Sequence, residues 1–229
     1  MKKTVALLMT LVCVCAILSA HAEEAFTLRN GIRFGDTWET IQSKETFERI
    51  QDGMPHIFQF KGDFCGMPSM VRYYFGENLA NAPQPGDRMK SAAYIVNTQY
   101  KENGGTSYSR KSSFSKLCAM MCAKYGDAAV EADSLKNVNA DPLISYYIFW
   151  LNAMHVDSFS DFDSLDSLHR QRAVWTVPAG GRTVVIEVQE YGVIQDGKNC
   201  FLTLVNYSAY TEKEMQSLQH KLFENLDDI

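Results

Sequence analysis

The sequence predicts an α+β protein: an antiparallel β-sheet with helices packed on one face. Three observations carry this expectation. Strand-like runs arrive in groups joined by short Gly- and Asp-rich turns, as hairpins do. A helical segment with a single apolar stripe separates the groups. The chain is also 46% hydrophobic with only 14 Gly and 6 Pro, enough apolar surface for a packed core. The order is a helix and three strands, a long helix, an insert, three more strands and a closing helix. It suggests two α-β-β-β lobes in tandem, at 23–108 and 109–229, the second with a helical insert near 141–156.

Gly31 to Gly35 reads as a short strand or extended lead-in, after which Asp36 and Glu39 are placed to cap a helix carrying Trp38 and Ile41. Three β-rich segments follow: His56 to Phe60, Ser69 to Phe75, and Ala92 to Tyr100. Gly76 to Asp87, with Pro83, Pro85 and Gly86, reads as a loop between the last two. Ser109 to Tyr125 is the clearest helix. Phe114, Leu117, Cys118, Met121, Cys122 and Tyr125 form one stripe, and Gly126 ends it at C′. This stripe is expected to pack against the sheet. Pro142 suits the first position of a helix over Leu143 to Met154. Three strands then follow, Ala173 to Pro178, Arg182 to Tyr191 and Cys200 to Tyr210, turning at Gly180-Gly181 and Asp196-Gly197. Thr211 and Glu214 form a capping box for the last helix, whose apolar face is Met215, Leu218, Leu222, Phe223 and Leu226. The runs Ala93 to Thr98 and Phe201 to Asn206 rhyme, as in an internal duplication.

The first 22 residues have the grammar of a secretory signal: Lys2-Lys3, an apolar run from Val5 to Leu18, then Ala20-His21-Ala22. Cleavage after Ala22 is expected, with release to the extracellular space or periplasm. No transmembrane segment is expected after cleavage. The formal charge of -5 becomes -7 once Lys2 and Lys3 are removed. So acidic a chain, without a Lys/Arg run, argues against nucleic acid as a partner. Cleavage would also leave four cysteines, Cys65, Cys118, Cys122 and Cys200. Cys118 and Cys122 share one helix face, which disfavours a bridge between them. Two connectivities stay open, 65–118 with 122–200 or 65–122 with 118–200, alongside four buried thiols.

Motifs for chemistry are sparse. Ser113-Phe114-Ser115-Lys116 matches the Ser-x-x-Lys of penicillin-recognising enzymes, but Lys-Thr-Gly is missing. Asp157, Asp161, Asp163 and Asp166 lack EF-hand spacing. Cys118-x3-Cys122 lacks the zinc-knuckle spacing, and His56, His155, His169 and His220 are scattered. No catalytic residue, metal or cofactor is therefore assigned. Aromatics offer the remaining surface. Tyr74, Tyr94, Trp175, Tyr191 and Tyr207 are the candidate binding residues, on a sheet face left open by the helices.

Gly35-Asp36-Thr37-Trp38-Glu39-Thr40-Ile41 resembles the Gly-Met-Thr-x-x-Glu-Val signature of the β-lactamase inhibitory proteins and the SmpA/OmlA assembly lipoproteins. Asp36 stands in place of the Met, and Thr40-Ile41 in place of Glu-Val. The opening Leu28 to Gly35 is also similar to secreted proteins of gut clostridia. The resemblance implies a short helix packed on an antiparallel sheet, a unit the inhibitory proteins carry twice. The function expected is non-enzymatic binding of an extracellular or envelope protein, or a glycan, through the open sheet face. The alternatives are a small secreted hydrolase with an unrecognised constellation and a disulfide-stabilised component of a surface assembly.

Overall fold

The computed structural model describes residues 26–50, 58–75, 86–101, 105–128, 130–133 and 170–223. The signal-like segment, the insert helix at 141–156, the Asp157 to Asp166 cluster, and His56, His155 and His169 lie outside these residues. The fold is α+β and dominated by antiparallel strands, as the pattern predicts.

Ten strands are described: β1 (Glu48–Arg49), β2 (Phe58–Phe64), β3 (Met67–Phe75), β4 (Met89–Val96), β5 (Thr98–Tyr100), β6 (Thr106–Tyr108), β7 (Val130–Asp133), β8 (Arg170–Ala179), β9 (Arg182–Gln195) and β10 (Lys198–Thr211). The helices are α1 (Trp38–Lys44), α2 (Phe114–Tyr125) and α3 (Glu212–Phe223). Eight strands form one sheet in the order β1-β2-β3-β4-β10-β9-β8-β7, and β5-β6 make a separate hairpin. Each group of three expected strands gains a short edge strand, β1 or β7. The last long strands of the two groups, β4 and β10, pair side by side from Ser91↔Ser208 to Val96↔Thr203. That pairing merges both groups into a single sheet with one shared core.

Strand alternation gives the sheet two faces. Val71, Tyr73, Tyr94, Val205, Ile186 and Trp175 point to the proximal face and join Ile41 of α1 and Leu117 and Met121 of α2 in the main core. Leu117 is fully buried and Met121 nearly so, as the α2 stripe requires. Burial of such side chains stabilises by about 1.5–3 kcal/mol each. Phe26 extends this core, its ring 6.1 Å from those of Tyr125 and Tyr207.

Local chemistry explains the element ends. The first cap falls on Thr37, whose hydroxyl accepts from Thr40 N, correcting the expected Asp36/Glu39 box. Asp36 instead receives Arg33 N and the Lys44 ammonium. Thr211 and Glu214 do form their reciprocal box on α3. These hydrogen bonds hold the Glu214 carboxyl below its usual range. The hairpin between β2 and β3 turns on Cys65 and Gly66, both at positive φ. The expected single strand from Ala92 to Tyr100 breaks at Asn97, also at positive φ, so β5 leaves the sheet. Gly62 admits the Phe47 ring, which sits where a β-carbon would be.

Candidate functional site

The face turned away from α1 and α2, the distal face, carries the polar side chains that the core excludes. Register aligns Gln59, Arg72, Ala93, Asn206 and Glu187 in one row across β2, β3, β4, β10 and β9. The next row holds Lys61, Met70, Ile95, Leu204, Gln189 and Arg172. Gln59, Arg72 and Glu187 are buried, at 2%, 5% and 6% exposed, and Gln189 is fully buried. Arg72 Nε donates to Gln59 Oε1 at 2.5 Å. Arg172 Nε donates to the Glu187 carboxylate. The Tyr191 hydroxyl donates to Gln189 Oε1, while Gln189 Nε2 meets no partner among the described residues. A buried polar group without a partner costs about 1–3 kcal/mol, so a fold retains few of them.

The β5-β6 hairpin contributes to this face. Tyr108 joins an apolar cluster with Met70, Ile95, Leu202, Leu204 and Tyr191, and Tyr100 packs against it. One side chain ties the hairpin to β9: Gln195 Oε1 accepts from Tyr108 N at 2.9 Å and its Nε2 donates to Thr106 O at 2.5 Å. The amide thus mimics a strand neighbour. A backbone bond from Phe201 N to Ser109 O, at 2.7 Å, adds a tether. Gln195→Ala should raise amide exchange across residues 106–108 at least tenfold while leaving the β9-β10 ladder protected, measured by hydrogen exchange. The Tyr108 hydroxyl is buried and has no hydrogen-bond partner among the described residues. Burial pushes its pKa up, against the pull of the Arg72 charge. A cleft of about 360 Å³ opens beside the hairpin between Glu48, Lys61, Pro68, Gln99 and Tyr100.

The structure distributes the five candidate aromatics over both faces. Tyr74 and Tyr191 are distal by register, Tyr74 half-buried and Tyr191 buried. Tyr94, Trp175 and Tyr207 belong instead to the main core under the helices, a correction to the open aromatic surface. Tyr94 stacks on Phe64 with ring centroids 4.3 Å apart, and Trp175 Nε1 donates to Gly126 O. Burial raises the pKa of Tyr94 and of Tyr207. Alternation correctly separates neighbours along each strand but does not say which set meets the helices.

The cysteines fall nearest the thiol alternative that the sequence leaves open, with Cys200 buried and Cys65, Cys118 and Cys122 half-buried. No disulfide joins the four sulfurs. Cys65, Cys118 and Cys122 pack against the main core and Cys200 lies in the distal cluster, so the sheet stands between Cys200 and either of its expected partners. Cys65 lies in the β2-β3 turn, where Lys116 Nζ donates to its carbonyl oxygen at 3.5 Å. Cys118 is about 200° further round α2 than Lys116. Burial raises the Cys65 thiol pKa, with Lys116 and Lys124 opposing. In the Ser-x-x-Lys run, Ser113 is buried and Lys116 Nζ reaches the Cys65 carbonyl.

Sequence reading missed Gln59, Arg72, Gln189 and Gln195. Their signal is a polar residue inside an apolar strand, as in Met70-Val71-Arg72-Tyr73 and Val188-Gln189-Glu190-Tyr191. Among the described residues no three His, Cys, Asp or Glu side chains gather as metal ligands, and no helix is long and apolar enough to cross a membrane. No family model, curated protein or solved structure matches this chain.

Proposed function

We propose that the chain is a secreted, non-enzymatic binding protein that takes an extracellular or envelope protein on the distal face of its sheet. The observation that carries this reading is the polar row from Gln59 through Arg72 to Glu187, set across five strands. A sheet serving stability alone gains more from apolar groups there, since each buried polar side chain must be repaid by hydrogen bonds. Held by one another, such groups give the face a fixed pattern of charge and hydrogen-bonding atoms on which specificity for a partner can rest. The signal-like Met1 to Ala22 supports encounter outside the cytoplasm, and the Gly35 to Ile41 resemblance supports a sheet-based binder.

Site-resolved photo-crosslinking tests this. A benzophenone amino acid replaces Tyr74, half-buried on the distal face, or Met120, 40% exposed on α2. In the native medium or envelope, the Tyr74 position should yield a specific adduct that Arg72→Ala abolishes. Adducts from Met120 alone, or adducts unaffected by Arg72→Ala, would overturn the reading.

A further inference from the structure

We infer that the cleft beside the β5-β6 hairpin, at the β1 edge of the distal face, is a binding site for an uncharged saccharide. This is a ligand additional to the protein partner proposed above, and its chemistry is independent of that reading. The cleft has a volume of about 360 Å³, within the range of about 300–1,000 Å³ typical of small-molecule sites. Register sets Glu48 opposite Lys61 and Lys61 opposite Met70, so Glu48 and Lys61 share the distal face. Thr98, Gln99 and Tyr100 of β5 line the other side. Ser69 and Thr98, each 2% exposed, are its most deeply set residues.

The lining selects the ligand. Glu48 Oε2 and Lys61 Nζ pair at 3.2 Å, so the two charges that line the cleft offset each other. An anion there would meet Glu48, and a cation would meet Lys61, neither with a free counter-charge. An apolar ligand would strip water from the pair and from the exposed Gln99 amide with nothing in return. Hydroxyl groups suit both partners of the pair, because each can donate to Glu48 and accept from Lys61. The Gln99 amide adds a carbonyl acceptor and two N–H donors. Ser69 Oγ donates to Met67 O at 2.8 Å and Thr98 Oγ1 to Ser107 O at 2.7 Å, which leaves these hydroxyls as acceptors. Tyr100, half-buried and braced on the distal cluster, and Pro68 supply apolar surface for the C–H face of a sugar ring. Donors, acceptors and an aromatic wall around a neutral cleft are what a pyranose requires.

Titration of the folded chain with cellobiose, maltose, lactose and chitobiose, followed by NMR, tests the site. At least one of these disaccharides should shift the Gln99 side-chain amide and the Tyr100 ring resonances at millimolar concentration. Gln99→Ala, at an exposed position, should weaken that binding about tenfold and leave the melting temperature unchanged. Tyr100→Phe keeps the ring and should bind as the wild type does, while Tyr100→Ala should not bind. If Tyr100→Ala disturbs the hairpin, Gln99→Ala decides. Glucose 6-phosphate and adenosine, an anion and a flat base, should bind at least tenfold more weakly than the best disaccharide. No shift with any disaccharide, binding that Gln99→Ala leaves unchanged, or equal affinity for adenosine would overturn the proposal. If the Tyr74 crosslink forms while no disaccharide binds, the protein-binding face stands and the saccharide site falls; the reverse result keeps the saccharide site and removes the protein partner.

Discussion

Glu45→Ala should lower the unfolding free energy by about 3 kcal/mol, one of the two largest single-site losses expected in this protein. The Glu45 side chain is fully buried at the end of α1. Its Oε1 accepts from Arg29 Nη1 at 2.7 Å, Thr46 N at 2.8 Å and Phe47 N at 2.9 Å. Its Oε2 accepts the Tyr73 hydroxyl at 2.5 Å. Removing the carboxylate strands all four donors and leaves the Arg29 guanidinium without its counter-charge. Arg29 keeps 21% of its side chain in water, so part of that loss is screened and the low end of the 3–5 kcal/mol range applies. Arg29 also stacks on Phe47, 3.3 Å from the ring centroid, and Phe47 fills the space over Gly62. The network therefore clamps the first helix and its approach to the edge of the sheet. A melting temperature about 10 °C lower is expected for a chain of this size. Tyr73→Phe, which withdraws one donor, should cost about half as much. Chemical unfolding checks both, and a Glu45→Ala loss under 1 kcal/mol would mean the clamp is not structural.

Glu190→Ala should cost about 2–3 kcal/mol and loosen the start of α2. Ser113, the cap residue of α2, makes no side-chain cap of its own. Glu190, on β9 and 1% exposed, supplies the missing acceptor from another part of the chain. Its carboxylate accepts from Ser112 Oγ at 2.7 and 2.8 Å, from Thr203 Oγ1 at 3.0 Å and from Ser113 N at 3.3 Å. Negative charge at a helix N-terminus is further favoured by the helix dipole. The variant removes an anchor between α2 and the sheet as well as a cap. Faster amide exchange at residues 114–118, with β2-β3 unchanged, is the expected signature. Unchanged exchange there would mean that Leu117 and Met121 hold the helix start by themselves.

The parts of the fold legible in the sequence are those decided by a few neighbouring residues. The Thr211/Glu214 box depends on side chains three positions apart, and the structure forms it. The Leu117/Met121 stripe reads from one helical period, and it is buried. Asp196-Gly197 and Gly180-Gly181 mark hairpins because both residues of each turn adopt positive φ. The Phe64 to Met67 turn escaped because Cys65 does not advertise the left-handed conformation it adopts. Asp36 was misplaced because it and Thr37 are adjacent and both can cap, and tertiary contacts with Arg33 and Lys44 draw Asp36 away.

The candidate site was far less legible. Strands such as Met70 to Phe75 and Val184 to Val193 place apolar groups on both faces, so a period of two leaves the phase degenerate. Tyr94, Trp175 and Tyr207 went to the core because the helices cover that side. Gln195 acquires its role only because β6 arrives beside it from 89 residues away in sequence.

By itself the sequence determined the α+β class, the order of helices and hairpins, and the amphipathic face of α2. Each follows from local periodicity, capping and turn chemistry. Only the tertiary structure decided that β4 pairs with β10, that Cys200 is walled off from Cys118 and Cys122, and that Gln59, Arg72 and Gln189 share one buried face. These are relations between residues distant along the chain. They are set by which apolar surfaces meet when the two groups of strands close into one sheet, and no local pattern encodes that choice.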